Sequence, residues 1–205
     1  MRQPQSVKSL EDFGRIRLSP SFFMRDFLYS EIAALHALPN IPDDPDLAIA
    51  AGTALCQNLL EPLQARFGRI AIRSAYRSCA VNQFGNTNKL NCASNEANYA
   101  GHIWDRRDAG HRGATACIVV NAFVPYYERT TDWEALAWFV HDHLPYSEME
   151  FFPRLAAFNL TWSEAPKRRI SSYIPPRRGL LTRPGMDNWD GRHEAAYAAM
   201  LAELG

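Results

Sequence analysis

With 205 residues, of which 47% are hydrophobic, 12% aromatic and 21% charged, the chain can bury one compact core. It is neither compositionally disordered nor long enough for a multidomain machine. Its 22 lysines and arginines balance 22 aspartates and glutamates, so no global field draws it to nucleic acid or to an anionic membrane, and any polyanion site must be local.

Residues 1–17 read as a polar arm. No apolar run reaches the length of a bilayer span, and Met1 to Leu18 lacks the apolar core of a secretory signal, so the expectation is a chain cytoplasmic as synthesised, with export by another route left open. Ser19-Pro20-Ser21 offers a helix start ahead of Phe22, Phe23, Phe27 and Leu28. After the turn cluster Asn40 to Pro45, apolar residues recur every four positions from Leu47 to Phe67, which predicts a helix over 46–67 ended by Gly68 and kinked at Pro62. Four cysteines are too few for a disulfide scaffold; Cys56 lies on the apolar stripe of this helix, and Cys79 and Cys92 would bridge a loop only in an oxidising compartment.

Arg69 to Tyr76 alternates apolar and polar residues as a half-buried strand does. The stretch 82–110 has no sustained period and is punctuated by asparagines, so it reads as a long loop. Thr115 to Phe123 predicts a strand, and Thr131-Asp132-Trp133-Glu134 a capping box opening a helix to His143. Tyr146 to Phe152 and Ala157 to Ser163 read as a hairpin, the second strand setting Phe158, Leu160 and Trp162 on one face and Asn159, Thr161 and Ser163 on the other. Residues 165–185 hold six cations and no acid; a solvated basic face and an anion-binding edge are the two readings, and nucleic acid finds no other foothold. Residues 186–205 end in an amphipathic helix expected to dock on the rest. The order of elements predicts an α+β fold with packed helices on a central antiparallel sheet.

The segment Leu59 to Asn82, with Ser74-Ala75-Tyr76-Arg77-Ser78 at its end, resembles the zinc D-Ala-D-Ala carboxypeptidases, whose fold is shared with Hedgehog signalling domains. Leu18 to Phe27 is similar to that family's opening helix, and Ser172-Tyr173 with Arg178 to the element after its last core strand. The resemblance implies a carboxypeptidase-like domain over 18–185 with 82–110 as an inserted loop. It also implies a zinc ion held by two histidines and an aspartate beside a glutamate base, and an arginine facing the substrate. Arg77 takes that last place, with Tyr76, Ser74 and Asp108 as further substrate contacts.

The ligand pattern is altered. In Asp108-Ala109-Gly110-His111-Arg112-Gly113, His111 and Gly113 match, Asp108 stands for a serine, and Cys117 replaces the ligand aspartate. Ser163 and Glu164, not histidine, follow Trp162, and Phe152 falls at the position of the base, with Glu150 and Glu164 as the carboxylates near enough to replace it. Three outcomes stay open. The first is a domain that has lost peptidase chemistry and binds a cell-wall peptide, a protein or a small anion, with no cofactor. The second is a metal-dependent peptidase or amidase whose rewired zinc site draws on His111, Cys117, His102 and Glu164, since zinc takes thiolate, imidazole and carboxylate. The third is a thiol enzyme with Cys117 as nucleophile and His111 as base. The plain alternative leaves Cys117 as a small buried hydrophobe and His111 as a turn residue. Arg77, His111 and Cys117 are expected to meet at a cleft walled by 82–110.

Overall fold

The computed structural model describes residues 1–204. The fold is α+β, built on a six-stranded sheet of β1 (Ile70–Ser74), β2 (Gly113–Val120), β3 (Glu148–Phe151), β4 (Phe158–Ser163), β5 (Arg169–Ser172) and β6 (Gly179–Thr182) in the order β1-β2-β4-β3-β5-β6. The four expected strands pair antiparallel. The basic stretch adds two more, and β5 runs parallel to β3, so the sheet is mostly rather than wholly antiparallel.

Alternation along the strands gives the sheet two unlike faces. Ala114, Ala116, Ile118, Met149, Phe151, Phe158, Leu160 and Ile170 are buried under the helices. The opposite face carries polar rows set by register: Thr115, Thr161, Glu148 and Arg169 in one, Cys117, Asn159, Glu150 and Ser171 in the next.

The long helix is present as α3 (Pro45–Leu55) and α4 (Glu61–Phe67), joined by a π-helical turn at Cys56–Leu60 in which the Glu61 amide donates to the Cys56 carbonyl. Pro62 has no amide to continue the regular ladder, and the widened turn absorbs the defect. Cys56 is fully buried there.

Several expectations are corrected. The polar arm contains a capped helix, α1 (Val7–Gly14), with Ser6 and Ser9 forming its capping box and Phe13 in the core. The helix expected after Ser19-Pro20-Ser21 is only a 3-10 turn at Met24–Phe27. The Ser19 and Ser21 hydroxyls donate to the Glu61 carboxylate at 2.8 and 3.0 Å, so neither is left to cap a helix. A short helix, α2 (Glu31–Leu35), follows, capped by Ser30.

The stretch 82–110 is not a structureless loop. It holds most of α5 (Cys79–Thr87) and all of α6 (Asn95–Asn98), and its asparagines bind the backbone instead of merely turning it: Asn82 donates to the Ala93 carbonyl at 3.1 Å and Asn86 to the Cys92 carbonyl at 2.9 Å. Ile103 and Trp104 are fully buried, and Asp105 accepts from the Asp43 amide at 2.7 Å and the Tyr76 hydroxyl at 3.3 Å.

Strand β2 ends at Val120, and 123–130 is helical as α7 (Phe123–Thr130). Thr131 closes α7 in the left-handed region (φ 58) and so cannot cap the next helix, α8 (Glu134–His143); Asp132 does, accepting from the Ala135 amide at 3.2 Å. Glu134, expected to complete the capping box, pairs with Arg177.

The final helix, α9 (Glu194–Leu204), packs on α8 through Tyr197 and Met200; Gly205, the end of the segment read as 186–205, lies outside the described residues. The basic block is dispersed. Lys167 pairs with Glu148, and Arg168 lies 4.2 Å over the Tyr146 ring while donating to the Leu144 and His141 carbonyls, so 165–185 does not present a continuous cationic edge. Among the described residues no helix is long and apolar enough to cross a membrane.

Candidate functional site

The polar face of the sheet floors a cleft of about 530 Å³, walled by 97–102 and 108–111 on one side and by β3 and β5 on the other. A larger concavity beside α1 and α2 is lined mainly by apolar residues such as Val7, Leu10 and Leu28 and gathers no catalytic constellation.

The cleft exists because β1 leaves β2 early. Pairing shifts between Ile72 and Ser74, and the vacated edge of β2 is taken by the segment around His102: the Thr115 amide donates to the Gly101 carbonyl at 3.0 Å, the Trp104 indole to the Thr115 carbonyl at 3.1 Å, and the Arg77 amide to the His102 carbonyl at 2.8 Å. Gly113 permits this seating. A Cβ there would stand 2.2 Å from the Ala100 carbonyl oxygen.

His102 is thereby buried on the sheet, with Nδ1 2.7 Å from the Ala75 carbonyl. Burial, reinforced by the Arg77 charge, pushes its pKa down to about 3, so the ring is neutral near neutral pH. A carbonyl only accepts, which puts the proton on Nδ1 and leaves Nε2 as the acceptor. The Asn159 side chain, next to the ring, opposes part of that downward shift and donates to Glu150 Oε2 at 3.4 Å. Burial raises the Glu150 carboxyl above the usual carboxylate range, against the hydrogen bonds from Tyr173 and Asn159. Phe152 lies past the end of β3, stacked on Tyr173 with ring centroids 5.7 Å apart, so Glu150 is the side chain that faces Asn159.

Cys117 sits opposite Asn159 and Ser74 on the polar face, half-buried. Burial, against the charges of Arg73 and Arg77, pushes its thiol up to about 11, which leaves it protonated and unsuited to the nucleophile's part near neutral pH. Arg77 is half-buried near both groups, its Nη1 3.3 Å from Cys92 Sγ; of the three residues expected to meet at the cleft, His111 lines it and Arg77 and Cys117 lie outside its lining. Cys79 and Cys92 are free thiols.

His111 and Asp108 are exposed at the rim, tied to each other across a tight turn with amide-to-carbonyl distances of 2.8 and 3.0 Å. The two expected histidines thus line one cleft at different depths, His102 on its floor and His111 on its lip. Tyr76 is fully buried and its hydroxyl donates to Asp105, so it supports the floor from beneath and is not a ligand contact. Glu164 is exposed and accepts from the Arg112 amide and Nε, each at 2.7 Å; Arg112 holds its carboxyl below the usual range, and it is a clasp between β2 and β4 outside the cleft lining.

Among the described residues, the histidine, cysteine and carboxylate side chains that come close enough to hold a metal ion together are elsewhere. His141, Asp142 and His193 offer ligand atoms within 4.8 Å of one another, between the end of α8 and the start of α9. Asp142 and His193 are 51 residues apart, and no local spacing announces the group. No protein-family model, curated protein or solved structure matches the chain, so the side chains themselves carry the functional argument.

Proposed function

We propose that the chain is a D-Ala-D-Ala carboxypeptidase-like domain that binds a peptide or other carboxylate-bearing ligand in the cleft without hydrolysing it. The carrying observation is the floor itself. His102 is held on the Ala75 carbonyl and Asn159 on Glu150 rather than presenting an open set of metal ligands, and Cys117 beside them holds its proton. Such a floor offers hydrogen bonds and shape, while Arg169, which lines the cleft, supplies the planar fork that suits a carboxylate. A cell-wall peptide, a protein segment or a small anion meets this chemistry.

A second reading, a metal-dependent peptidase or amidase, is favoured by one feature. The Nε2 of His102 is an acceptor with Glu150 nearby, where a metal-bound water would need its base. It requires the Cys117 proton to be displaced by the metal as well.

Titrating the full chain with a short peptide ending in D-Ala-D-Ala, and with the same peptide amidated at its C-terminus, tests the binding reading. Saturable binding of the free acid is expected, weakened about tenfold or more by Arg169→Ala and by amidation, the scale of a lost charged hydrogen bond of about 1.5 kcal/mol. Equal binding of acid and amide, or none of either, would remove the carboxylate ligand.

A further inference from the structure

His141, Asp142 and His193 lie outside the cleft and have no part in the binding proposed above. We propose that they form a zinc site that fastens the segment leading into α9 to the end of α8. Their ligand atoms already lie within 4.8 Å of one another. A tetrahedral site with bonds of about 2 Å needs them roughly 3.3 Å apart, a small contraction. The pocket is largely shielded from solvent: the side chains of His193 and Asp142 are 14% and 4% exposed, and His141 is buried.

The surroundings supply the outer contacts that metal-binding histidines use. Ligating histidines hold their second nitrogen on an oxygen, which fixes the ring. His193 has its Nε2 3.0 Å from the Asn188 carbonyl and turns Nδ1 to Asp142 Oδ1 at 2.8 Å. His141 has oxygen at both nitrogens, the Tyr146 hydroxyl 2.7 Å from Nδ1 and the Trp189 carbonyl 3.3 Å from Nε2, so whichever turns to the ion leaves the other held. Asp142 is oriented in the same way: its Oδ2 accepts from the His193 amide at 2.7 Å and the Tyr197 hydroxyl at 3.1 Å, freeing Oδ1 for the metal.

Zinc would lie between His193 Nδ1 and Asp142 Oδ1, now 2.8 Å apart, with His141 as third ligand and water in the fourth position. Of the nearby cations, Arg168 is committed to the Leu144 and His141 carbonyls and Arg192 pairs with Glu194. Two imidazoles, a carboxylate and no thiolate make a set of nitrogen and oxygen donors suited to zinc.

The test uses the full chain, stripped with a chelator, dialysed against zinc sulfate and assayed for bound metal, with a parallel sample loaded with cobalt(II). About one zinc per chain is expected, retained in His102→Ala and Cys117→Ser and lost in His193→Gln and Asp142→Asn. The cobalt form of the unaltered chain should show visible tetrahedral bands with no sulfur-to-cobalt charge-transfer band, a readout that needs no variant to fold. Zinc should also raise the melting temperature of the unaltered chain and leave that of His193→Gln unmoved. Absence of bound zinc, its loss in His102→Ala or Cys117→Ser, or a thiolate band would overturn the site.

Discussion

Replacing Gly113 with alanine should destabilise the fold by about 3 kcal/mol or more, one of the largest effects available from a single methyl group in this chain. The added Cβ would stand 2.2 Å from the Ala100 carbonyl oxygen and 3.0 Å from that of Trp162, both backbone atoms with no rotamer to escape into. Ala100 belongs to the segment that closes the edge of β2 through Gly101 and buries Trp104, so the clash must lift either that segment or β4. For a chain of this size the loss corresponds to a fall in melting temperature of about 6–12 °C. Chemical denaturation of Gly113→Ala measures it directly. A variant within about 0.5 kcal/mol of the parent would mean that the His102 segment does not rest on β2.

The second large effect is a pH dependence carried by His102. Its pKa falls from 6.5 to about 3 on folding because the ring is buried and lies beside Arg77. Above about pH 6.5 both folded and unfolded forms hold the ring neutral, and the contribution is complete; as the pH falls further the unfolded chain takes up a proton that the native state refuses, so stability drops until about pH 3. Between about pH 7 and about pH 4.5 this linkage amounts to roughly 2–3 kcal/mol. Urea unfolding of the parent and of His102→Gln across that range isolates it, because the carboxylates common to both cancel in the difference. The parent should lose its advantage over the variant as the pH falls. Parallel curves would show that His102 is solvated or already protonated in the fold.

The elements that were legible in the sequence are those whose burial repeats with a fixed period. Phe158, Leu160 and Trp162 alternate with Asn159, Thr161 and Ser163, and the alternation survives as the helix-covered and open faces of β4. The four-residue recurrence from Leu47 to Phe67 survives as α3, α4 and the turn between them. Where order comes from side chains reaching backbone across the fold, no period exists to be read. Asn82, Asn86 and Trp104 organise 82–110 in this way, and Glu61 takes Ser19 and Ser21 away from a helix start that local sequence favours.

The site was legible in part for the same reason. His102 and Glu150 stand out by residue type and line the cleft, whereas the match of His111 and Gly113 to a ligand pattern points to its rim. The sign pointing to His102 was its neighbours: Ile103 and Trp104 are large apolar residues in a polar stretch, and the histidine beside them follows them into the interior. Register decides which side chain enters the cleft: Glu150 faces Asn159, while Phe152 falls beyond the end of β3. His141, Asp142 and His193 meet only because α9 folds back on α8, a contact that no local pattern encodes.

The most direct test of binding without turnover is to incubate the full chain with a peptide ending in D-Ala-D-Ala, with and without added zinc, and follow free D-alanine. The expected result is release no faster than in buffer while the peptide remains bound, because His102 is held on the Ala75 carbonyl, Asn159 on Glu150, and Cys117 keeps its proton. Release above buffer that disappears in His102→Ala, Cys117→Ala and Glu150→Gln would contradict it and establish the cleft as a working hydrolase.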